Sequence, residues 1–122
     1  MALNVQGDLR RRISEALGVD VAITVPFERP ETLVTVIREG GRRENNLIDA
    51  PGVGIYCYAP TEQKAWELAD QVADFMASLK FADGYATVEQ EAMYSDRDVN
   101  TNSPRWYLTY SLKTYVPKAQ KG

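Results

Sequence analysis

The sequence contains no histidine, and Cys57 is its only cysteine. Without histidine the chain cannot form a Ser-His-Asp triad, a histidine-activated cysteine nucleophile or a histidine-ligated zinc site. A lone cysteine cannot form an internal disulfide, which is typical of proteins in a reducing compartment. These absences remove much common catalytic chemistry and favour a protein that is not an enzyme and acts through shape and contact.

The chain also lacks a strong excess of charge and a long apolar run. Its 14 Lys and Arg residues stand against 17 Asp and Glu residues, whereas a dedicated nucleic-acid binder is expected to be strongly basic. No apolar stretch approaches the roughly 18 residues of a membrane span, and residues 1–7 do not resemble a signal peptide. We therefore expect one domain over residues 1–122, folded inside the cell without membrane association, with a core of about 8–117 and a frayed polar tail at 118–122.

Apolar residues recur at helical spacing in two segments. Leu9, Ile13 and Leu17 share one face of a short helix from Asp8 to Leu17, in which Asp8 can cap the start and Gly18 can follow the end. A longer helix is predicted over residues 62–80, with Thr61 as its cap and Trp66 in the core. Its apolar positions, spaced by three and four, are Ala65, Leu68, Ala69, Val72, Phe75, Met76 and Leu79.

Two β-rich runs lie between these helices and precede a polar segment. Residues 19–25 alternate apolar and polar side chains, and residues 32–39 are rich in β-branched ones, so both are predicted strands. Gly40-Gly41 then predicts a hairpin or a sharp exit from the second strand. Residues 42–46 contain too few apolar side chains to pack, which predicts a protruding loop or a mobile hairpin arm.

The third predicted strand, residues 53–59, is apolar on both faces, which places it at the centre of the sheet or against a second subunit. Cys57 lies within it and is interpreted as a buried packing thiol rather than a nucleophile. Residues 84–94 and 104–116 are predicted as the fourth and fifth strands. The order α-β-β-β-α-β-β predicts an α+β fold, an antiparallel or mixed sheet of about five strands packed against one long and one short helix.

Motifs for bound ions and cofactors are weak. Oxygen-bearing side chains alternate from Asp96 to Asn102, as in the first half of a calcium loop. A complete loop would have glycine and a carboxylate where this sequence has Thr101 and Tyr107, so a solvated connecting loop is favoured. The tyrosine and tryptophan residues are interpreted as core and interface contacts, because the acidic balance does not suit base stacking. We predict no cofactor and no metal.

Several segments together resemble the tail terminator (tail completion) proteins of long-tailed bacteriophages. The resemblance covers about residues 8–117 and consists of element order and moderately specific phrases. The segments that carry it are Pro30–Gly41, Asp49–Val53, Tyr58–Thr61, Ala65–Ala69 and Pro104–Tyr107.

The resemblance implies a virion protein that is assembled in the bacterial cytoplasm and located at the head-proximal end of the tail. A homohexameric ring would cap the tail tube, stop its polymerisation and provide the surface for head-tail joining. Its partners would be further copies of itself, the tail tube protein and the head-tail connector, with DNA passing through the lumen without specific binding. No catalytic residue is implied. The candidate contacts with a neighbouring subunit or the tube are Arg42, Arg43, Glu44, Asn45, Asn46, Asp96, Arg97 and Asp98.

Two alternative classes remain open on the residues alone. The first is another phage neck or head-tail connector protein, or a small intracellular protein-interaction module. The second, less favoured, is a carboxylate-dependent hydrolase, which would have a cleft lined by two acids with raised pKa values. Nothing in the spacing selects such a pair from the 17 acidic residues.

Overall fold

The computed structural model describes residues 3–116, which form two helices and five strands and confirm the predicted α+β fold. The predicted polar tail lies outside the described residues. The elements are α1 (Val5–Leu17), β1 (Val21–Ala22), β2 (Leu33–Arg43), β3 (Ile48–Tyr58), α2 (Glu62–Ser78), a 3-10 turn (Leu79–Phe81), β4 (Tyr85–Ser95) and β5 (Arg105–Tyr115).

The strands form a single mixed sheet in the order β1-β2-β3-β5-β4. β1 runs parallel to β2, and the other three pairings are antiparallel. Of the two positions predicted for the third strand, the central one is observed, because β3 lies between β2 and β5. Its register pairs Ile48 with Tyr115 at one end and Tyr58 with Arg105 at the other.

Helix α1 begins earlier than the sequence predicts. The side chain of Asn4, not that of Asp8, caps the helix by accepting a hydrogen bond from the Gly7 N–H. Asp8 lies in the first turn instead, where its carboxylate accepts hydrogen bonds from Arg12 and from the Tyr85 hydroxyl at 2.8 and 2.7 Å. Gly18 follows the helix with φ of 65°, which confirms its predicted role.

The predicted strand over residues 19–25 is wrong in length, since β1 contains only Val21 and Ala22. Its continuation would pair with β2 beside Arg38, and the backbone N–H of Arg38 already donates to the Gln6 side chain at 2.7 Å. Helix α1 therefore occupies the edge of β2 that a longer β1 would need.

The Gly40-Gly41 pair produces a β-bulge rather than a hairpin turn. The register between β2 and β3 shifts between Arg38 and Gly41, and both glycines have positive φ. Strand β2 then continues through Arg43, so residues 42–46 lie in the β2–β3 hairpin, as in the predicted hairpin arm, and do not form a loop outside the strands. The turn lies beyond it, where the Asn45 side chain accepts hydrogen bonds from the N–H groups of Leu47 and Ile48.

Both helices pack on one face of the sheet and form a single apolar core with it. Thr61 caps α2 by accepting from the Lys64 N–H, as predicted, and Cys57 is fully buried, also as predicted. The prediction that Trp66 lies in the core is wrong, because it is 41% exposed. Its neighbour Ala65 belongs to the buried stripe of α2, and one residue further along a helix turns the side chain by about 100° away from that stripe.

Candidate interaction surfaces

The face of the sheet opposite the helices carries a row of tyrosines. Side chains alternate between the two faces along a strand, so the residues next to each helix-facing residue in the sequence point to this open face. Tyr56 pairs with Tyr107 across β3 and β5, and Tyr107 pairs with Tyr94 across β5 and β4. The rings of Tyr56 and Tyr107 stack at 4.4 Å between centroids, and Tyr94 meets Tyr107 edge-on at 5.5 Å. The three rings thus form a continuous aromatic contact across three strands.

A carboxylate lies over the sheet beside this row. The Tyr107 hydroxyl donates a hydrogen bond to Glu39, whose side chain crosses above Gly54. A Cβ at Gly54 would lie 2.8 Å from Glu39 Oε2, so the glycine provides the space for the carboxylate. Burial, together with this hydrogen bond, raises the pKa of the Tyr107 hydroxyl. The open face is therefore polar and locally ordered rather than a bare apolar surface.

Arg105 joins the tyrosine row to the loop between β4 and β5. Its guanidinium lies 4.4 Å above the Tyr56 ring and pairs with Asp96 at 3.2 Å and with Asp98 at 3.7 Å. The hydrogen bond from the Asn100 N–H, aided by Arg105, lowers the pKa of Asp98. Asp96 and Asp98, which the sequence analysis compared with calcium ligands and assigned to a solvated loop, thus face a cation of the protein itself. Among residues 3–116 no cluster of three or more His, Cys, Asp or Glu side chains is placed to hold a metal ion.

The candidate contact residues predicted from the sequence fall into two separate groups. Residues 42–46 lie at the β2–β3 hairpin, and residues 96–98 lie after β4, at the end of the sheet where β3 finishes. The 11 residues of β3 separate these ends by roughly 35 Å. The structure therefore does not bring the two predicted groups together.

The hairpin end presents cations beside an apolar tip. Glu44 pairs with Lys113 at 3.0 Å, whereas neither Arg42 nor Arg43 forms an ion pair within the described residues. Leu47, at the turn itself, is 57% exposed. Two unpaired positive charges and an exposed aliphatic side chain therefore lie close together in the chain at this end.

The opposite end of the sheet presents anions beside an apolar tip. The segment at residues 23–32 lies against the β4–β5 loop, where Arg29 donates to the Ser103 hydroxyl at 2.9 Å. Phe27 is fully exposed, and no ion pair within residues 3–116 involves Glu28 or Glu31. The sequence analysis did not single out these residues as a surface. The bracketing prolines around a phenylalanine were the available signal.

Two concavities of the protein are large enough to hold a small molecule. One, of about 390 Å³, is lined on the open face by Gly41, Ala50, Pro51, Gly52, Thr87, Glu89, Ser111, Leu112 and Lys113. The other, of about 240 Å³, is lined by Ala73, Asp74, Ala77, Val88, Gln90 and Tyr110. Each has one carboxylate in its lining, whereas a two-carboxylate mechanism needs a facing pair.

The acidic residues with shifted pKa values belong to ion pairs. Hydrogen bonding to Arg38 lowers the pKa of Asp49, and burial of Asp8 is outweighed by its bonds to Tyr85 and Arg12, so that its pKa is lowered too. Burial raises the pKa of the Cys57 thiol. These shifts keep the carboxylates ionised and the thiol protonated, which suits structural roles.

Comparison of the sequence with models of protein families and with curated proteins gives no match. Neither helix in the described part of the chain has the length and apolar character needed to cross a membrane.

Proposed function

We propose that this chain is a structural protein of the tail terminator type. Copies of it would form a ring on the head-proximal end of a phage tail tube, stop tube polymerisation and present a surface to the head-tail connector. Its action would depend on binding through surfaces, with no chemical step. The proposal joins the sequence resemblance to one structural observation, the position of the exposed apolar side chains.

The exposed apolar side chains are concentrated at the two ends of the sheet. Among residues 3–116, five of the eight exposed large apolar side chains lie there rather than around a cavity. Phe27 and Val99 are at the end where β2 begins, and Leu47, Phe81 and Tyr115 are at the hairpin end. Exposed apolar side chains grouped in this way are typical of protein-protein contacts. An assembly protein needs several such surfaces, because each copy touches its neighbours and two further proteins.

Two of the five segments that carry the resemblance also meet in space. Tyr58–Thr61 and Pro104–Tyr107 adjoin, since the Ala59 N–H donates to the Pro104 carbonyl and Arg105 donates to the Tyr58 hydroxyl at 3.2 Å. This junction is where β3 ends, α2 begins and β5 begins. The phrases therefore have a common role in setting the fold, which supports the resemblance at the level of architecture.

The test is the mass of the purified protein by light scattering over a wide concentration range, with negative-stain imaging alone and with tubes of the tail tube protein from the same phage. We expect a hexameric ring, or ring-shaped density on one end of each tube together with shorter tubes. A protein that binds only the head-tail connector would be a neck protein instead. The proposal would be contradicted if the protein formed no ring and also bound no end of a tube.

A further inference from the structure

We infer that copies of this chain contact one another head to tail, with the hairpin surface of one copy on the loop surface of the next. The hairpin surface consists of Arg42, Arg43 and Leu47, and the loop surface consists of Phe27, Glu28 and Glu31. The inference names the contact between neighbouring copies in the proposed ring. It depends on the proposed function only for the location of the ring on a phage tail.

The charges of the two surfaces are complementary. Other charges at both ends are already balanced, Glu44 by Lys113 and the 96–98 acids by Arg105. Two cations beside the loop surface, Arg29 and Arg97, form no ion pair either, but their guanidinium groups donate to the Ser103 hydroxyl and to the Asn102 carbonyl. Within the two surfaces, the charged side chains with neither an ion pair nor a side-chain hydrogen bond in the described residues are Arg42 and Arg43 on one and Glu28 and Glu31 on the other. Complementary charges steer association and set the register of a contact. In a contact between two copies, the arginines of one hairpin surface would face the glutamates of the other copy's loop surface.

Each surface also has an apolar side chain to bury. Phe27 is fully exposed at the tip of a segment held between Pro26 and Pro30, and Leu47 is exposed at the hairpin turn. Proline restricts the backbone, so less conformational entropy is lost when such a tip docks. A single well-placed aromatic anchor frequently carries much of the energy of an interface. The two tips would therefore form the apolar centre of the contact, with the charges around it.

The geometry requires two different molecules. The two surfaces lie at opposite ends of β3, so one copy cannot satisfy its own pair. A contact between two different surfaces is heterologous and generates a ring when the rotation closes. Pairing through the free edge of β4 is less favourable, because that strand has register shifts and exposes Glu89 and Glu91. A two-fold β4 pairing would also bring these like charges together.

Charge reversal tests the contact. Arg42→Glu with Arg43→Glu should raise the dissociation constant of self-association at least about tenfold in low salt, and Glu28→Arg with Glu31→Arg should do the same. The four-residue combination should restore association, because the charges are again opposite. A matched control, Arg10→Glu with Lys64→Glu, makes the same charge change on exposed helix positions and should leave association unchanged. Sedimentation velocity measures the constants, and thermal melting checks that each variant folds.

Failure of the four-residue combination to regain association, with all variants folded, would overturn the inference. So would a wild-type protein that stays monomeric at every concentration, in which case tube capping would still decide the proposed function independently. As a second readout, Phe27→Cys combined with Leu47→Cys should give a disulfide-linked ladder of copies under oxidation, since Cys57 is buried. Each single variant should stay unlinked, because in a head-to-tail contact its cysteine faces no second cysteine. A ladder without any binding to tail tubes would support the contact and contradict the proposed function.

Discussion

The two faces of the sheet are built in different ways. On the face covered by the helices, Val36, Ile55 and Leu108 are completely buried and contribute only apolar surface. On the open face, Tyr107 is packed against other rings while its hydroxyl bonds to Glu39, a side chain that is itself exposed. The covered face therefore supplies most of the stability. The open face and the ends of the sheet remain free for contacts with other proteins.

The largest expected effect comes from truncating the covered face. Leu108→Ala removes a fully buried side chain from β5 and should lower the free energy of unfolding by about 2–5 kcal/mol. The matched change one residue along, Thr109→Ala, lies on the open face and should cost less than about 1 kcal/mol. Urea denaturation measures both. Equal costs would show that the open face is as tightly packed as the covered one.

The next effect concerns the bulge that shapes the open face beside the larger concavity. Gly40 and Gly41 both have positive φ, but only Gly41 lacks room for a side chain, because a Cβ there would lie 2.7 Å from the Pro51 Cα. Gly40→Ala should cost about 1–2 kcal/mol from backbone strain alone. Gly41→Ala should cost a further ~1–3 kcal/mol, because two backbones must separate. The same denaturation measurement would contradict this account if the two variants were equally stable.

Acid should lower the free energy of unfolding by protonating Asp49, which is buried in an ion pair with Arg38 at the edge of the covered face. The Arg38 guanidinium holds the pKa of Asp49 below its usual value, and Asp49 is almost fully buried. A pKa lowered by folding adds stability at pH values above the unfolded pKa of about 3.9, and that stability is lost as the pH falls through the folded pKa. Unfolding free energies measured from pH 6 to pH 2 should fall less steeply for Asp49→Asn than for wild type. Asp70→Asn, on the exposed side of α2, is the control and should leave the profile unchanged.

Much of the covered face was predictable from the sequence, since burial imposes a period on the chain. Leu68, Val72 and Met76 recur at helical spacing because all three face the sheet. Strand β3 was placed at the centre because both of its faces are apolar. The fold class follows from the order of such segments, and that order was correct.

The remaining features depend on contacts between residues that are distant in the sequence, and such contacts give no periodic pattern of apolar residues. The hydrogen bond between Gln6 and Arg38, which occupies part of the β2 edge beyond β1, joins residues separated by 32 positions. The glycine pair suits a turn as well as a bulge, so its location within β2 could not be decided locally. The loop surface was missed because the prolines on either side of Phe27 indicate only a turn, and the importance of Phe27 appears only when its full exposure is known.

The smallest expected effect comes from removing one tyrosine hydroxyl from each face of the sheet. Tyr85→Phe removes a hydroxyl that donates to Asp8 on the covered face, and Tyr107→Phe removes one that donates to Glu39 on the open face. The first should lower the free energy of unfolding by about 1–2 kcal/mol, because Asp8 loses a bond in a partly buried site. The second should cost about 0.5 kcal/mol, since the exposed Glu39 carboxylate can bond to water instead. A reversed order in denaturation would mean that the tyrosine row holds the sheet together, and the open face would then be a structural element rather than a surface available for binding.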